Sequence, residues 1–449
     1  MATLATRSVV DDHAPSIRAR RVYPWIVFLL TFGLLLSDDM SRQVLSAVFP
    51  FLKAEWALSD TQLGSLTSVV ALAVGILAVP LSLLADRWGR VRAIVLMAVV
   101  WSVATAASAF AAGYDQLLLS RVFIGVGEAA YGSVGLAVVL AVFPAYRRAA
   151  FTGAFMAGGS FGSVVGVALG GALAVHLGWR WAFGAMAVLG FVLVALYKLL
   201  VSEGKLARAR VDDLAAGDAV RTAGRRARLR TLVNTPSVLC AYVGSGLQLF
   251  VAGSLFAWLP SYVGRAYGLA PDTAAAVAAV AILVMGLGMI ICGMATDRLS
   301  RLVPIRKWTT AIGYSAASLV FLGVGFSIPP GGAQLLLLAV GVFFAAGTSG
   351  PAGAMVVNLT AEPIRATALG TLTLANNLLG LAAGPFVVGL LADRVGLVTA
   401  MRFVPLAALA AAAILCVGRL AYPVSLEMVR SREACRRGPL GDAPPTSCR

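Results

Sequence analysis

Apolar residues along this chain neither alternate with polar ones nor keep to one narrow stripe. They come in long uninterrupted runs separated by short polar turns. A helix needs about 20 apolar residues to cross a hydrocarbon core of about 30 Å. Twelve runs meet that length, near residues 23–49, 62–85, 91–112, 115–143, 149–175, 180–201, 236–263, 272–296, 308–327, 333–357, 366–392 and 398–420. Each predicts a membrane-spanning helix, because a helix satisfies its own backbone where no water can. An outer-membrane barrel would alternate apolar and polar residues and is excluded.

The runs fall into two sets of six. Between them lies a polar stretch, 202–235, with Lys205, Arg208, Arg210, Arg221, Arg225, Arg226, Arg228 and Arg230. The expected organisation is a tail (1–22), a first six-helix bundle (23–201), a basic linker (202–235), a second bundle (236–420) and a second tail (421–449). The residues from Tyr422 are polar and include prolines, which predicts a mostly disordered tail. The first 22 residues contain arginines but no short apolar core with a cleavage site, so the first span reads as a retained helix.

Composition sharpens this picture. Of the 449 residues only 12% are charged and 59% are hydrophobic, whereas a soluble domain carries about 25% charged residues. Half that share cannot coat a water-facing surface, which excludes a soluble enzyme. The net charge of +16 invites a nucleic-acid reading, but no stacking aromatics are interleaved with the basic residues, and no nucleic acid is expected as a partner. Five scattered cysteines without C-x-x-C spacing, and only His13 and His176, predict no metal site and no cofactor.

The basic residues also orient the chain. With the N-terminus in the cytoplasm, inside segments hold 28 of the 36 Lys and Arg, and outside loops hold five: Lys53, Arg180, Arg265, Arg394 and Arg402. Positive loops stay inside. Both termini and the linker are therefore expected in the cytoplasm, in a bacterial inner membrane.

Three short matches show an internal repeat. Asp86-Arg87-Trp88-Gly89-Arg90 ends the second span and Asp297-Arg298-Leu299-Ser300-Arg301 ends the eighth, 211 residues later. Asp60-Thr61 and Asp272-Thr273 precede the same two spans, 212 apart. Arg148 to Gly153 and Arg365 to Gly370 open the fifth and eleventh spans, 217 apart. Parallel six-helix halves form a transporter architecture with the substrate near the midplane.

On these residues the chain resembles the major facilitator superfamily. The Asp-Arg-x-Gly-Arg loop carries the likeness, as does Arg121-Val122-Phe123-Ile124-Gly125-Val126-Gly127-Glu128-Ala129 in the fourth span. The latter is similar to the Spinster-like branch, as is Asp38-Asp39-Met40-Ser41-Arg42 in the first span. There Arg42 matches the branch pattern, Ser41 replaces its acidic residue and Asp38 stands at its Asn position. The resemblance implies an all-α membrane protein with twelve transmembrane helices in two six-helix bundles, working by alternating access without covalent chemistry. It implies a cavity lined by the first, fourth, seventh and tenth helices, and a lipid-type substrate such as a lysolipid.

Asp38, Asp39, Arg42, Arg121 and Glu128 lie inside spans, where a charge facing lipid costs roughly 2.5–3.5 kcal/mol. They must face a cavity or each other, as a substrate and proton-coupling site or as a permanently paired structural network. Asp38 lies 14 residues past Pro24 and Arg121 seven past Tyr114 from the opposite side. At about 1.5 Å per residue the two depths coincide. Tyr131, Gln248, Asn376 and Asn377 are possible substrate contacts, or they hydrogen-bond to neighbouring backbone. The seventh and tenth spans are otherwise apolar, with Leu247, Leu249, Phe250 and Phe256 against Phe343, Phe344, Met355 and Val356. A cavity polar on one side suits an amphiphile, an organic anion or lysolipid, with protons as the coupling ion. The alternatives are a proton antiporter for hydrophobic cations and a non-transporting sensor on a transporter fold.

Asp86, Arg87, Gly89 and Arg90, with Asp297 and Arg298 in the second half, read as a cytoplasmic gate or as simple turns. By resemblance, Asp86 would close the gate on a helix N-terminus or on an Arg across the halves. Gly162, Gly166 and Gly170 share one helical face and predict close helix packing. Trp258 and Tyr262 read as anchors at the membrane interface. Membrane lipids are the expected surroundings, and the protein is expected to be a monomer.

The charge count makes a test. In a background free of native cysteines, a cysteine replacing Lys53 should react with an impermeant thiol reagent added outside cells, and one replacing Arg221 should not. The reverse pattern would invert the topology.

Overall fold

A computed structural model describes residues 17–144, 147–204, 206, 235–360 and 364–437. Twelve helices in it are long and apolar enough to span a membrane: α1 Val22–Trp56, α2 Asp60–Ala85, α3 Arg90–Ala109, α4 Tyr114–Val142, α5 Ala150–His176, α6 Trp179–Leu200, α7 Pro236–Tyr267, α8 Pro271–Ser300, α9 Arg306–Ser327, α10 Gly332–Asn358, α11 Thr367–Val395 and α12 Leu397–Val429. The linker residues 207–234 lie outside the described residues. The end of the molecule carrying Gly89, Ser202 and Thr235 is called the linker face below, and the opposite end the far face.

Local signals set several helix starts. Ser59 caps α2 in a capping box with Gln62, which satisfies two backbone donors reciprocally. Pro236 and Pro271 open α7 and α8, where a missing N–H costs nothing. Four spans are irregular inside, among them α12, whose helix stops at Met401 and resumes at Pro405. The helix of α4 is interrupted just after Glu128 and resumes at Tyr131. The helix of α10 is interrupted after Ala345 and resumes at Ser349. In α11, Asn376–Ala382 forms a π-helical turn.

The α1–α6 and α7–α12 bundles meet along three helix pairs, α2 with α11, α5 with α8 and α1 with α7. The apolar core shows how they meet. On the far face one continuous cluster draws on both bundles, from Phe49, Leu63 and Phe183 to Trp258, Ile282 and Met401. Towards the linker face it gives way to two separate clusters. One lies within the first bundle, around Trp101, Tyr131 and Tyr197. The other lies within the second, around Tyr242, Trp308 and Met355. The halves are thus joined at the far face and hold separate cores at the linker face.

The glycine face of α5 packs onto α1. A Cβ on Gly162 would lie 2.6 Å from the Leu36 carbonyl oxygen, and one on Gly166 would lie 2.7 Å from the Met40 Cα. Only hydrogen fits at that distance, so these glycines let the two backbones touch.

Two expectations are corrected. Trp258 and Tyr262 are fully buried rather than interfacial. Trp258 Nε1 donates to the Pro385 carbonyl at 2.9 Å and Tyr262 accepts from Gln334 Nε2 at 3.0 Å. These bonds bring α11 and α10 onto α7. The last helix does not stop near residue 420; it runs through Pro423 to Arg437. Pro423 reads as a breaker because it lacks an N–H, but packing on both sides of it holds the helix. Tyr422 lies against Trp308, and the Ser425 hydroxyl pairs with that of Ser237 at 2.9 Å.

Gly166→Leu should destabilise the protein by about 1–3 kcal/mol or more through overpacking. Gly132 has open space around its Cβ position, so Gly132→Ala should change stability by less than roughly 0.5 kcal/mol. Thermal unfolding of the two detergent-purified variants checks this; equal stability would show that the α1–α5 contact tolerates bulk.

Candidate functional site

Polar side chains of the first bundle converge where α1 and α4 cross. Arg42 Nη1 lies 3.4 Å from Glu128 Oε2, with the Arg42 side chain 20% exposed and that of Glu128 5%. Glu128 ends the first segment of α4, so the carboxylate sits beside the interruption of its own helix. Arg121 is fully buried. Its Nη1 donates to the Ser41 carbonyl at 3.2 Å and its guanidinium lies 4.7 Å from the Phe183 ring centre. Arg121 Nε and Nη2 and Asp38 Oδ1 have no hydrogen-bond partner among the described residues. Asp39 is half-buried against α5, with its carboxylate beside Gly159. Both arginines thus reach the α1–α4 crossing, and the one that meets a carboxylate is Arg42. Three carboxylates stand against two guanidiniums, one acid in excess.

The neutral candidates separate. The Tyr131 hydroxyl donates to the Thr31 carbonyl at 2.6 Å, and its ring packs edge-on against Trp101. It is fully buried and ties α4 to α1 and α3. Gln248 Nε2 donates to the Ala345 carbonyl at 3.0 Å, where α10 is interrupted. The two halves therefore share a device: a side chain of the first helix in the bundle meets the break in the fourth. In one half that device is an ion pair and in the other a neutral amide. Asn377 Nδ2 donates within its own helix to Thr373 O at 3.0 Å and packs against Gly75 of α2. Asn376 opens the π-helical turn, and its Oδ1 has no protein partner among the described residues. A π turn frees backbone groups and is common at functional sites.

At the linker face, Arg87, Asp297 and Arg298 are exposed. The Asp86 side chain lies outside the described residues. Gly89 holds φ +98° at the turn into α3, and its neighbour Arg90 opens that helix. A group absent from the sequence reading caps α3: the Glu203 carboxylate accepts the Val91 N–H at 2.7 Å.

The far face holds the residues that sequence reasoning missed. Asp60, 3% exposed, takes a two-pronged bond from Arg265 at 2.9 and 2.8 Å and a bond from Lys53 Nζ at 2.6 Å. The Asp60–Arg265 pair crosses between the halves. A second crossing runs through Asp393 at the end of α11. Its carboxylate accepts the Asp60 N–H at 2.7 Å, the Thr61 N–H at 2.9 Å and the Thr61 hydroxyl at 2.5 Å. Lys53 and Arg265 also border a cavity of about 350 Å³ between α1 and α7. The sequence did carry a signal, one acid opposite two of the few basic residues assigned outside. The separation of 205 positions between Asp60 and Arg265 concealed their contact.

The family model for the Major Facilitator Superfamily matches residues 31–382.

The chain belongs to the major facilitator superfamily.

It is an integral, multi-pass membrane transporter and not an enzyme. It is 30% identical to a probable L-galactonate transporter of Escherichia coli over 65% of this chain and 66% of that protein. It is 23% identical to the hexuronate transporter of Bacillus subtilis over 83% of this chain and 88% of that one. Likeness to the Spinster-like branch is present as well. The chain is 25% identical to human protein spinster homolog 1 over 80% of this chain and 71% of that one. Its fold matches a bacterial homologue of the lysosomal transporter Spinster in an inward-facing, unoccupied conformation, with a TM-score of 0.76 at 20% identity, covering 90% of this chain and 98% of that one.

Proposed function

We propose that this transporter carries a small organic anion across a bacterial inner membrane by alternating access, driven by protons. The observation that carries the reading is the cluster of three carboxylates and two guanidiniums at the α1–α4 crossing, with Asp38, Arg121 and Glu128 buried and Asp39 and Arg42 partly exposed. Guanidiniums supply donors for a carboxylate substrate. The excess acid supplies a group that takes and releases a proton as rocking moves it towards or away from Arg42 and Arg121. Relatives named for L-galactonate and hexuronate favour a sugar-acid type of anion over a lysolipid. The linker face is assigned to the cytoplasm on charge, so the described state, joined at the far face, is inward-facing. Asp86, Arg87, Gly89 and Arg90 are assigned to a gate that closes the linker face in the opposite state.

A second reading, proton antiport of hydrophobic cations, draws on the net negative charge of the fully ionised cluster. It also draws on 27% identity to an MFS-type efflux pump of Mycolicibacterium smegmatis over 87% of this chain. Uptake into proteoliposomes of a hexuronate, a lysolipid and a lipophilic cation separates the classes.

Under a pH gradient, Glu128→Gln and Asp38→Asn should each lower uptake within the roughly 5–150-fold range of ordinary coupling energies. Arg121→Ala should be worse, because it strands buried carboxylates. Counterflow, which needs no gradient, should persist in the acid variants. Full gradient-driven flux in both would make the cluster purely structural.

A further inference from the structure

The two ends of α2 and α11 are copies of each other, set in opposite directions. Leu83-Leu84-Ala85-Asp86-Arg87-Trp88-Gly89 closes the α2 helix at the linker face, and Leu390-Leu391-Ala392-Asp393-Arg394-Val395-Gly396 closes α11 at the far face. The backbones match too. Gly89 has φ +98°, ψ 139° and donates to Ala85 O, while Gly396 has φ +80°, ψ 150° and donates to Ala392 O. The starts of the helices also correspond, as Thr61-Gln62-Leu63-Gly64 and Thr367-Ala368-Leu369-Gly370. From Thr61 to Asp86 is one residue shorter than from Thr367 to Asp393. The π-helical turn of α11, Asn376–Ala382, lies between, and its i to i+5 bonding absorbs an extra residue.

The contacts follow the same inverted relation. Gly64 packs on the backbone of Pro385 and Phe386, and Gly370 faces Val79, the residue matching Phe386. The first contact is backbone to backbone. The second reaches only the Val79 side chain, 3.5 Å from a Cβ position on Gly370. The far end of the helix pair is therefore the tight one in this state.

At that tight end Asp393 completes the α2 N-terminus. The first N–H groups of a helix have no partner within it. Ser59 Oγ serves the Gln62 N–H, and the Asp393 carboxylate serves the two left over, those of Asp60 and Thr61. At the start of the α11 helix, among the described residues, the N-cap residue Ile364 makes no side-chain cap bond.

We infer that Asp393 on the α2 N-terminus is a latch that holds the far face shut, the opposite-end counterpart of the Asp86 gate assigned above to the linker face. Asp393 is then a positioning residue that sets the balance of the two states. The inference rests on the alternating-access and Asp86 gate readings above.

Spin labels test it on the full-length, cysteine-free protein in lipid nanodiscs. Ala112→Cys with Pro329→Cys reports the far face, and Leu199→Cys with Leu302→Cys the linker face; all four positions are exposed. Asp393→Ala should raise the ratio of long to short far-face distances about fivefold, the equivalent of one lost helix cap. Thr61→Val should shift it less, in the same direction. Asp86→Ala should lengthen the linker-face distances, and the double variant Asp86→Ala/Asp393→Ala should return towards the wild-type ratio. An unchanged far-face ratio in both Asp393→Ala and Thr61→Val overturns the latch. Unchanged linker-face distances in Asp86→Ala, with the far face shifted by Asp393→Ala, sink the Asp86 gate and the paired half of this proposal. A double variant that behaves like Asp393→Ala alone does the same.

Discussion

Hydrocarbon contains no water to hydrogen-bond, and the rest of this structure follows from that. Every backbone N–H and C=O in a span must find a partner in the protein, so the chain is helical through the membrane. Where a helix breaks, something else must meet the break. At the break in α10 the Gln248 amide donates to the Ala345 carbonyl, while beside the break in α4 two side chains, Arg42 and Glu128, pair with each other. The same shortage of water gathers the charges near the break in α4. Each of Asp38, Arg121 and Glu128 would cost several kcal/mol against lipid, and each is buried among α1, α4 and their neighbours instead.

Close approach of backbones is the second requirement, since apolar surface gains little by moving from lipid to protein. Packing and hydrogen bonds must hold membrane helices together. Glycines at Gly162, Gly166 and Gly170 bring α5 onto α1, and Gly64 and Gly389 bring α2 onto α11. The α1–α5 contact lies within one bundle and holds α1, with its charged residues, in place. The α2–α11 contact lies between bundles. It is reinforced by directional polar bonds, the Asp60–Arg265 fork and the Asp393 cap, which form or break as units. A large apolar core joined at one face, with separate cores at the other, gives the bundles a hinge-like asymmetry.

Much of this was legible in the chain, and the reason is physical. Span length, span number and the division into halves depend on hydropathy alone, because the bilayer imposes one thickness on every helix. Family membership was readable from short motifs at Asp86 and at Arg121 to Glu128, and the tight face of α5 from its glycine spacing. The ionisable residues of the candidate site stood out because charge in a span is rare. The same rules failed at Trp258 and Tyr262, whose amphipathic rings suit an interface equally well. They failed at Pro423, where packing of Tyr422 and Ser425 overrides a local breaker.

Pairing was decided by tertiary structure alone. Sequence spacing places Arg42 and Arg121 near the same carboxylates but does not say which guanidinium reaches Glu128; the crossing of α1 and α4 selects Arg42. Asp60 stands 205 residues before Arg265 and 333 before Asp393, and only the meeting of the two bundles brings them into one junction. Hydropathy is a property each residue carries by itself, so it survives in the one-dimensional chain. A hydrogen bond belongs to two residues and to their geometry, and that exists only once the helices have packed.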